Sequence, residues 1–146
     1  MSTAALHWSA AYLGIPHVRF GRERSGGLDC WGLCFHVYRD VLGIDVPDYL
    51  EVPPGSAERA EMGRMVDDIC SAWPWHRVEA PREYDVAVFR MGELARHVGI
   101  VAGDAGWMLH AASGSASCLT RMTEERWANR LLGYFRHDLM MMERPA

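Results

Sequence analysis

The chain has 146 residues, a mass of 16.5 kDa and a net charge of -4, with 49% apolar and 23% charged residues. This length suits one domain, predicted over residues 1–146, and the composition is that of a folded protein rather than a disordered one. No stretch reaches the about 20 apolar residues that span a bilayer, and an acidic balance argues against a nucleic-acid partner, which normally needs a basic face.

The first half of the chain carries helical patterns. Gly14 and Pro16 are typical of the segment just after a helix C-terminus, and Gly43 ends a second apolar stripe of helical period. The Gly- and Arg-rich segment between them, from His17 to Gly27, predicts a loop. The predicted helices cover residues 2 or 3 to 13, 30 to 42 and 56 to 73.

The second half changes to the alternating pattern of strands. Gly103-Asp104-Ala105-Gly106 is a strong hairpin signal between two of them. The predicted strands cover residues 84–89, 97–101, 107–111, 117–120 and 131–136. Helices followed by antiparallel strands indicate an α+β fold, in which the N-terminal helices pack on a small antiparallel sheet.

Cys30 follows the flexible triplet Ser25-Gly26-Gly27 and opens the second predicted helix. A helix N-terminus carries partial positive charge, so we expect the pKa of this thiol to be lowered and its nucleophilicity to be raised. The free N–H groups there can also stabilise an oxyanion. The competing interpretation is a buried core cysteine, since free cysteines are among the most buried residues.

His97 and His110 occupy the two strands that flank the predicted hairpin turn. A two-residue loop pairs Gly99 with His110, so the two histidines become diagonal neighbours on one face, roughly 7–8 Å apart at Cα. This is the geometry of a general base and the group that orients it. A three-residue loop would separate the two rings, and two structural histidines are the alternative interpretation.

The remaining cysteines and histidines have weaker patterns. Cys34 lies one helical turn after Cys30, and we predict that it packs in the core together with Cys70 and Cys118. The cysteine spacing matches no zinc template, so we expect no metal and no cofactor. His36 and His137 are predicted to lie on the surface.

Three segments, in order, resemble the signature of the NlpC-type cysteine peptidases, which are papain-like bacterial cell-wall endopeptidases. The resemblance implies a papain-like α+β fold, with Cys30 as nucleophile, His97 as base and His110 as the group that orients it. The segments are Leu28-Asp29-Cys30-Trp31-Gly32-Leu33, Arg96-His97-Val98-Gly99-Ile100-Val101 and Met108-Leu109-His110-Ala111.

The chain departs from that family pattern at two positions near the nucleophile. His17 stands where many members have a tyrosine that helps to stabilise the oxyanion, and Trp31 stands where most have serine. The resemblance therefore implies an oxyanion role for His17, whose imidazole can donate the same hydrogen bond. It also implies substrate contacts for Asp29 and Trp31, the neighbours of Cys30.

The implied activity is a thiol endopeptidase that cleaves peptidoglycan stem peptides, at the bond between D-glutamate and the diamino acid. Asp29-Cys30-Trp31-Gly32-Leu33, with the segment from Tyr38 to Tyr49, resembles the branch of the family carried on tails of phages and gene-transfer particles. That branch implies tail-tip or hub proteins as partners. The N-terminus has no basic n-region, so we expect no signal peptide, synthesis in the cytoplasm and assembly into a particle.

Two alternatives remain open. A structural tail-tip plug or adaptor would keep the same fold without cleaving anything. An acyltransferase or amidase would use the same thioester intermediate but resolve it with an amine or act on another amide.

Overall fold

The computed structural model describes residues 7–48, 69–70, 73–91, 96–103, 106–112 and 114–141. Within the first predicted helix, residues Trp8–Tyr12 form a short 3-10 helix, and Gly14 follows with a φ of 77°. Residues 2 to 6 of that prediction lie outside the described residues. So does most of the third predicted helix, of which Ile69 and Cys70 are described and helical.

The second predicted helix is confirmed, with one difference in its last turn. Helix α1 covers Cys30–Val37 and continues into a π-helical turn at Tyr38–Leu42. Gly43 ends the element in the left-handed region, with a φ of 67°. At the other end Asp29 is the N-cap, and its Oδ1 accepts a hydrogen bond from the N–H of Gly32 at 2.7 Å.

The segment predicted as a loop before α1 contains a small hairpin. Strand β1 (Arg22–Glu23) pairs with strand β2 (Gly27–Leu28) in antiparallel register. The prediction missed it because each strand has only two residues, too few for an alternating pattern.

The six later strands form one antiparallel sheet in the order β3-β8-β4-β5-β6-β7. Its five predicted strands are confirmed to within two residues at each end; β3 and the single-turn helix α2 were not predicted. This sheet and the N-terminal helices make up the predicted papain-like α+β fold. The bounds are β3 Trp75–Val78, β4 Val86–Arg90, β5 Arg96–Val101, β6 Trp107–His110, β7 Cys118–Arg121, α2 Glu125–Ala128 and β8 Leu131–His137.

The sheet is covered on both faces, and alternation along β5 assigns its side chains to one face or the other. Val98 and Ile100 point to the α1 face, where they join the main core with Leu33 of the helix. His97 pairs with Phe89 and points to the opposite face, where Trp127 of α2 covers the sheet. Among the described residues no helix is long and apolar enough to cross a membrane.

Two surface predictions are wrong. His36 and His137 are 6% and 5% exposed. His36 lies on the turn of α1 that packs over the β1–β2 hairpin and bonds the carbonyl of Arg22, whereas His137 packs between the rings of Tyr38 and Trp75. Both positions depend on contacts with distant segments, which local sequence patterns do not report.

Candidate active site

The backbone before α1 holds the candidate nucleophile in place. Leu28 donates its N–H to the carbonyl of Pro16 at 3.0 Å and accepts from the N–H of Val18 at 3.4 Å. Asp29 then caps the helix, so Cys30 occupies the first helical position. Cys30 is 6% exposed, and the backbone N–H of Val98 lies near enough to its thiol to favour the charged form and act to lower its pKa.

Val98 is available to the thiol because of how β5 and β6 pair. Their ladder contains the pairs Ile100–Leu109 and Val101–Met108, so Val98 lies beyond its last pair. Cys30 approaches this end of β5 from the α1 face, and Val98 directly follows His97 in the chain. The fold therefore brings the thiol to the strand segment that carries the predicted base.

The expected lowering of the thiol pKa is wrong for the free protein. Burial raises the pKa of Cys30 to about 12, and the negative charge of Asp29 adds to the increase. The N–H groups of Val98 and Trp31 and the charge of Arg22 act in the opposite direction but do not outweigh burial. The thiol is consequently protonated at neutral pH, because a desolvated thiolate costs more than the helix N-terminus supplies.

The predicted meeting of His97 and His110 is confirmed. The register of β5 and β6 is the one that a two-residue loop implies, and it directs both rings to the α2 face. Nε2 of His97 lies 2.8 Å from Nδ1 of His110, with the ring planes nearly perpendicular. Trp127 packs against both rings at centroid distances of 5.3 and 5.0 Å. The pair is thus fixed by both a hydrogen bond and an aromatic cover.

Burial also determines the charge of this pair. It lowers the pKa of His97 to about 3, with further lowering by the positive charges of His110, His17 and Arg126. Burial lowers the pKa of His110 to about 4, and Arg126 contributes there as well. Both rings are neutral at neutral pH, so His97 has a free nitrogen lone pair with which to accept a proton.

His17 lies close enough to the pair for its charge to act on His97. The residues on either side of it, Pro16 and Val18, are the two that bond Leu28, so His17 is held beside the start of α1. Its side chain is half-buried. This placement is compatible with the oxyanion role that the resemblance implies.

Asp29 and Trp31 do not face a substrate in this structure. Asp29 is 2% exposed, and its carboxylate bonds the N–H groups of Gly32 and Phe20 and the guanidinium of Arg22. Trp31 is completely buried and donates its indole N–H to the carbonyl of Pro47 at 2.8 Å. The prediction of substrate contacts is corrected: both side chains support the loop and the core around Cys30.

Sequence reasoning missed the surroundings of His110. Its Nε2 atom lies 2.8 Å from Oγ1 of Thr120, and the sulfur of Cys118 is 3.7 Å from the same nitrogen. All three residues line a cavity of about 330 Å³, together with Arg126 and Trp127. Thr120 could have been predicted from the strand pairing. Cys118 pairs directly with His110, and Thr120 lies two residues later on the same face of β7.

Cys118 was predicted to pack in the core and is instead half-buried at this cavity, whereas Cys34 is fully buried as predicted. In the parts of the chain that the structure describes, no cluster of three or more His, Cys, Asp or Glu side chains could hold a metal ion. The described site offers a thiol, a neutral histidine pair and backbone N–H donors.

Comparison with known proteins relates this arrangement to one family. The model of the NlpC/P60 family matches residues 16–136. The chain is 30% identical to the murein DD-endopeptidase MepS/murein LD-carboxypeptidase of Escherichia coli over 121 residues. The aligned region covers 83% of this chain and 55% of that protein. It is 27% identical over 127 residues to the gamma-DL-glutamyl hydrolase of Bacillus subtilis, covering 87% of this chain and 27% of that one.

Solved structures agree at the level of the fold. A lipoprotein-like NLP/P60 family protein from Staphylococcus aureus aligns with a TM-score of 0.61 and 19% identity over 94% of this chain and 45% of its own. The NlpC/p60 domain of the peptidoglycan hydrolase SagA aligns with a TM-score of 0.55 and 22% identity, covering 87% and 90% of the two chains. This chain spans about half of the length of the Escherichia coli relative and less of the Bacillus subtilis one.

Proposed function

This chain belongs to the NlpC/P60 family, and on that premise we propose that it is a thiol endopeptidase acting on the stem peptides of peptidoglycan. The observation that carries the proposal is the buried His97–His110 pair, at 2.8 Å, which begins at the residue before Val98, whose backbone N–H acts on the pKa of the Cys30 thiol. A protein with a purely structural role needs neither the histidine pair nor a cysteine at the start of a helix. The catalytic domain proposed here extends over residues 1–146.

In the proposed mechanism, the sulfur of Cys30 attacks the carbonyl carbon of the scissile amide. Its proton passes to Nδ1 of His97, the nitrogen that does not face His110, and the carbonyl becomes an oxyanion. The N–H of Cys30 and the imidazole of His17 stabilise that oxyanion. His97 then gives its proton to the leaving amine, and water hydrolyses the thioester to regenerate the thiol.

Protonated thiol and neutral imidazole are the starting state of this sequence. The thiolate forms only as the proton moves to His97, so the buried site avoids holding two separated charges before a substrate is bound. A substrate that displaces water and supplies a carbonyl group makes the proton transfer productive. The resting protein is accordingly a weak nucleophile toward other reagents.

The names of the relatives support a bond within the peptidoglycan stem. One is a murein endopeptidase and carboxypeptidase and another a gamma-DL-glutamyl hydrolase. We propose cleavage between D-glutamate and the diamino acid, the bond that the resemblance implied. The cavity beside His110 is lined by Arg121, Arg126 and Glu124 among other residues.

The test is mass spectrometry of purified muropeptides incubated with the wild-type protein and with Cys30→Ala. Stem fragments produced by the wild type alone would support the peptidase and identify the bond. A matched control, Cys34→Ala, removes a buried thiol one turn along the same helix and should retain cleavage. Equal cleavage by wild type and Cys30→Ala would overturn the mechanism.

Delivery on a phage-like tail is the finer part of the proposal. Its support is the sequence Asp29-Cys30-Trp31-Gly32-Leu33 and the segment that follows it, which resemble the tail-borne branch of the family. Protein mass spectrometry of purified particles from the producing cells would test it. Detection in the tail fraction supports this localisation, and detection only outside particles contradicts it.

The muropeptide digestion and the particle analysis also test the two alternatives, a structural tail-tip role and an acyl-transfer reaction. Folded wild-type protein that yields no fragments, yet is found in tails, would favour the plug or adaptor. Fragments that carry an added amine would favour an acyltransferase, because an amine rather than water would then resolve the thioester.

A further inference from the structure

Thr120 extends the histidine pair by another hydrogen bond. The Nδ1 atom of His110 faces His97 and its Nε2 atom lies 2.8 Å from Oγ1 of Thr120. His110 is 3% exposed, so a ring N–H without a partner there would be unfavourable, because it could not bond water instead. Thr120 is the nearest partner for that nitrogen among the described residues, since the sulfur of Cys118 is 3.7 Å away.

The proposed base role of His97 determines which nitrogen atoms carry protons. His97 can accept the thiol proton at Nδ1 only if its own proton is on Nε2. That Nε2–H then donates to Nδ1 of His110, which must be unprotonated. His110 consequently carries its proton on Nε2, and this N–H needs an acceptor.

A threonine hydroxyl meets this need better than the neighbouring thiol. The hydroxyl oxygen is a good acceptor, whereas a thiol sulfur is a weak one. The sulfur of Cys118 lies 3.6 Å from Oγ1 of Thr120, so the hydroxyl can donate its own proton there while accepting from His110. The chain of hydrogen bonds then runs in one direction, from His97 through His110 and Thr120 to Cys118.

We propose that Thr120 is a positioning residue of this site, which holds His110 in its Nε2–H tautomer and so keeps Nδ1 of His97 free to accept a proton. The inference rests on the proposed function, because that function requires His97 to be a base. It acts through His110 and involves no contact between Thr120 and the reacting atoms. In the reverse tautomer, Nδ1–H of His110 would donate to Nε2 of His97, and the proton of neutral His97 would then occupy Nδ1, leaving no nitrogen free to accept another.

The first experiment measures the tautomer directly and does not depend on activity. In protein labelled with nitrogen-15 at histidine, the ring nitrogen shifts and their couplings to ring protons identify the protonated nitrogen of His110. We expect protonation at Nε2 in the wild type and in Thr120→Ser, and a loss of that preference in Thr120→Val. Finding Nδ1–H in the wild type would overturn the proposal.

The second experiment measures muropeptide cleavage by the same variants. Thr120→Val should lower kcat by about 10- to 100-fold, by analogy with the loss of residues that orient metal-binding histidines, with little change in KM. Thr120→Ser should recover most of the loss. Thr123→Val makes the same chemical change at an exposed position three residues on and should leave kcat unchanged.

Thermal unfolding separates this effect from misfolding, and Thr120→Ala replaces the valine variant if the latter does not fold. Wild-type kcat in folded Thr120→Val and Thr120→Ala would overturn the positioning role. Absence of any cleavage by the wild type would contradict the proposed function, and the tautomer measurement would still decide the role of Thr120.

Discussion

For individual residues, burial outweighs every other influence on charge at this site. Cys30 begins a helix and also sits next to the carboxylate of Asp29, and its exposure is 6%. The helix N-terminus favours the thiolate by a modest, distance-limited amount, whereas desolvation opposes it more strongly. A helix-opening cysteine is therefore not sufficient to produce a reactive thiol in the free protein.

The rate of alkylation by iodoacetamide measures the effect of burial on the reactivity of the Cys30 thiol. Because the pKa of Cys30 is raised to about 12 by burial, alkylation should be slow at neutral pH and should keep increasing as the pH rises into the alkaline range. Peptide mass mapping assigns each labelled cysteine, and half-buried Cys118 serves as the accessible comparison within the same chain. A rate that reaches its plateau near neutral pH would contradict this prediction.

Among the secondary-structure elements, the contact between α1 and the loop before it depends on glycine. A Cβ atom at Gly32 would lie 2.0 Å from the carbonyl oxygen of Gly21, which is backbone and cannot move aside alone. The close approach allows the loop to pack on the first turn of α1, beside the Asp29 cap. The position of Cys30 is therefore tied to a glycine two residues later.

Gly32→Ala should lower the free energy of unfolding by about 1–3 kcal/mol, as overpacking does, and should reduce cleavage because Cys30 shifts with the helix. Urea unfolding measures the first effect. Gly26→Ala is the matched control, since the nearest atom to its added Cβ is 3.9 Å away. Equal stability of the two variants would show that the loop adapts without cost.

For the molecule as a whole, a buried ion pair joins β8 to the segment just before the neighbouring strand β4. Asp85, just before β4, accepts two hydrogen bonds from the guanidinium of Arg136 on β8, at 2.8 and 2.7 Å. The N–H of Arg82 also bonds the carboxylate, at 2.7 Å. Both charged side chains are almost fully buried.

Arg136→Met should destabilise the protein by about 3–5 kcal/mol, because the Asp85 carboxylate would remain buried without its partner. Adding Asp85→Asn should recover much of that loss, since the uncompensated charge is then removed. Denaturant unfolding of the two single variants and the double variant measures the coupling. Additive losses would contradict the proposed interaction.

The buried histidine pair gives the whole protein a pH-dependent stability. The pKa values of His97 and His110 are lowered by burial to about 3 and about 4, from 6.5, so the unfolded chain binds more protons in that interval. Their contribution to stability is fully present above pH 6.5 and is lost as the pH falls, by about 1.4 kcal/mol per pH unit for each histidine at most.

Chemical denaturation at a series of pH values tests this dependence. The double variant His97→Asn with His110→Asn should lose stability less steeply below pH 6.5 than the wild type. Carboxylates contribute equally to both proteins, so the difference isolates the histidines. Parallel curves for the two proteins would refute the prediction.

Local patterns predicted much of the fold. The start of α1 at Cys30, the end at Gly43 of the π-helical turn that continues it and the five strands carry periodic apolar positions or turn residues, and each is found in the structure. The β1–β2 hairpin was missed because each of its strands has only two residues, too few for an alternating pattern, and strand β3 was missed as well. The third predicted helix lies mostly outside the described residues.

The candidate site was likewise predicted in part from local patterns and in part revealed only by the structure. From the sequence, strand alternation and a two-residue loop predict that His97 and His110 share a face, and the β5–β6 register confirms that loop length. The structure was needed to find that Cys30 is protonated, that Asp29 and Trp31 turn inward and that Thr120 bonds His110. Burial and cross-strand contacts depend on which distant segments pack together, and no local pattern in the chain records that.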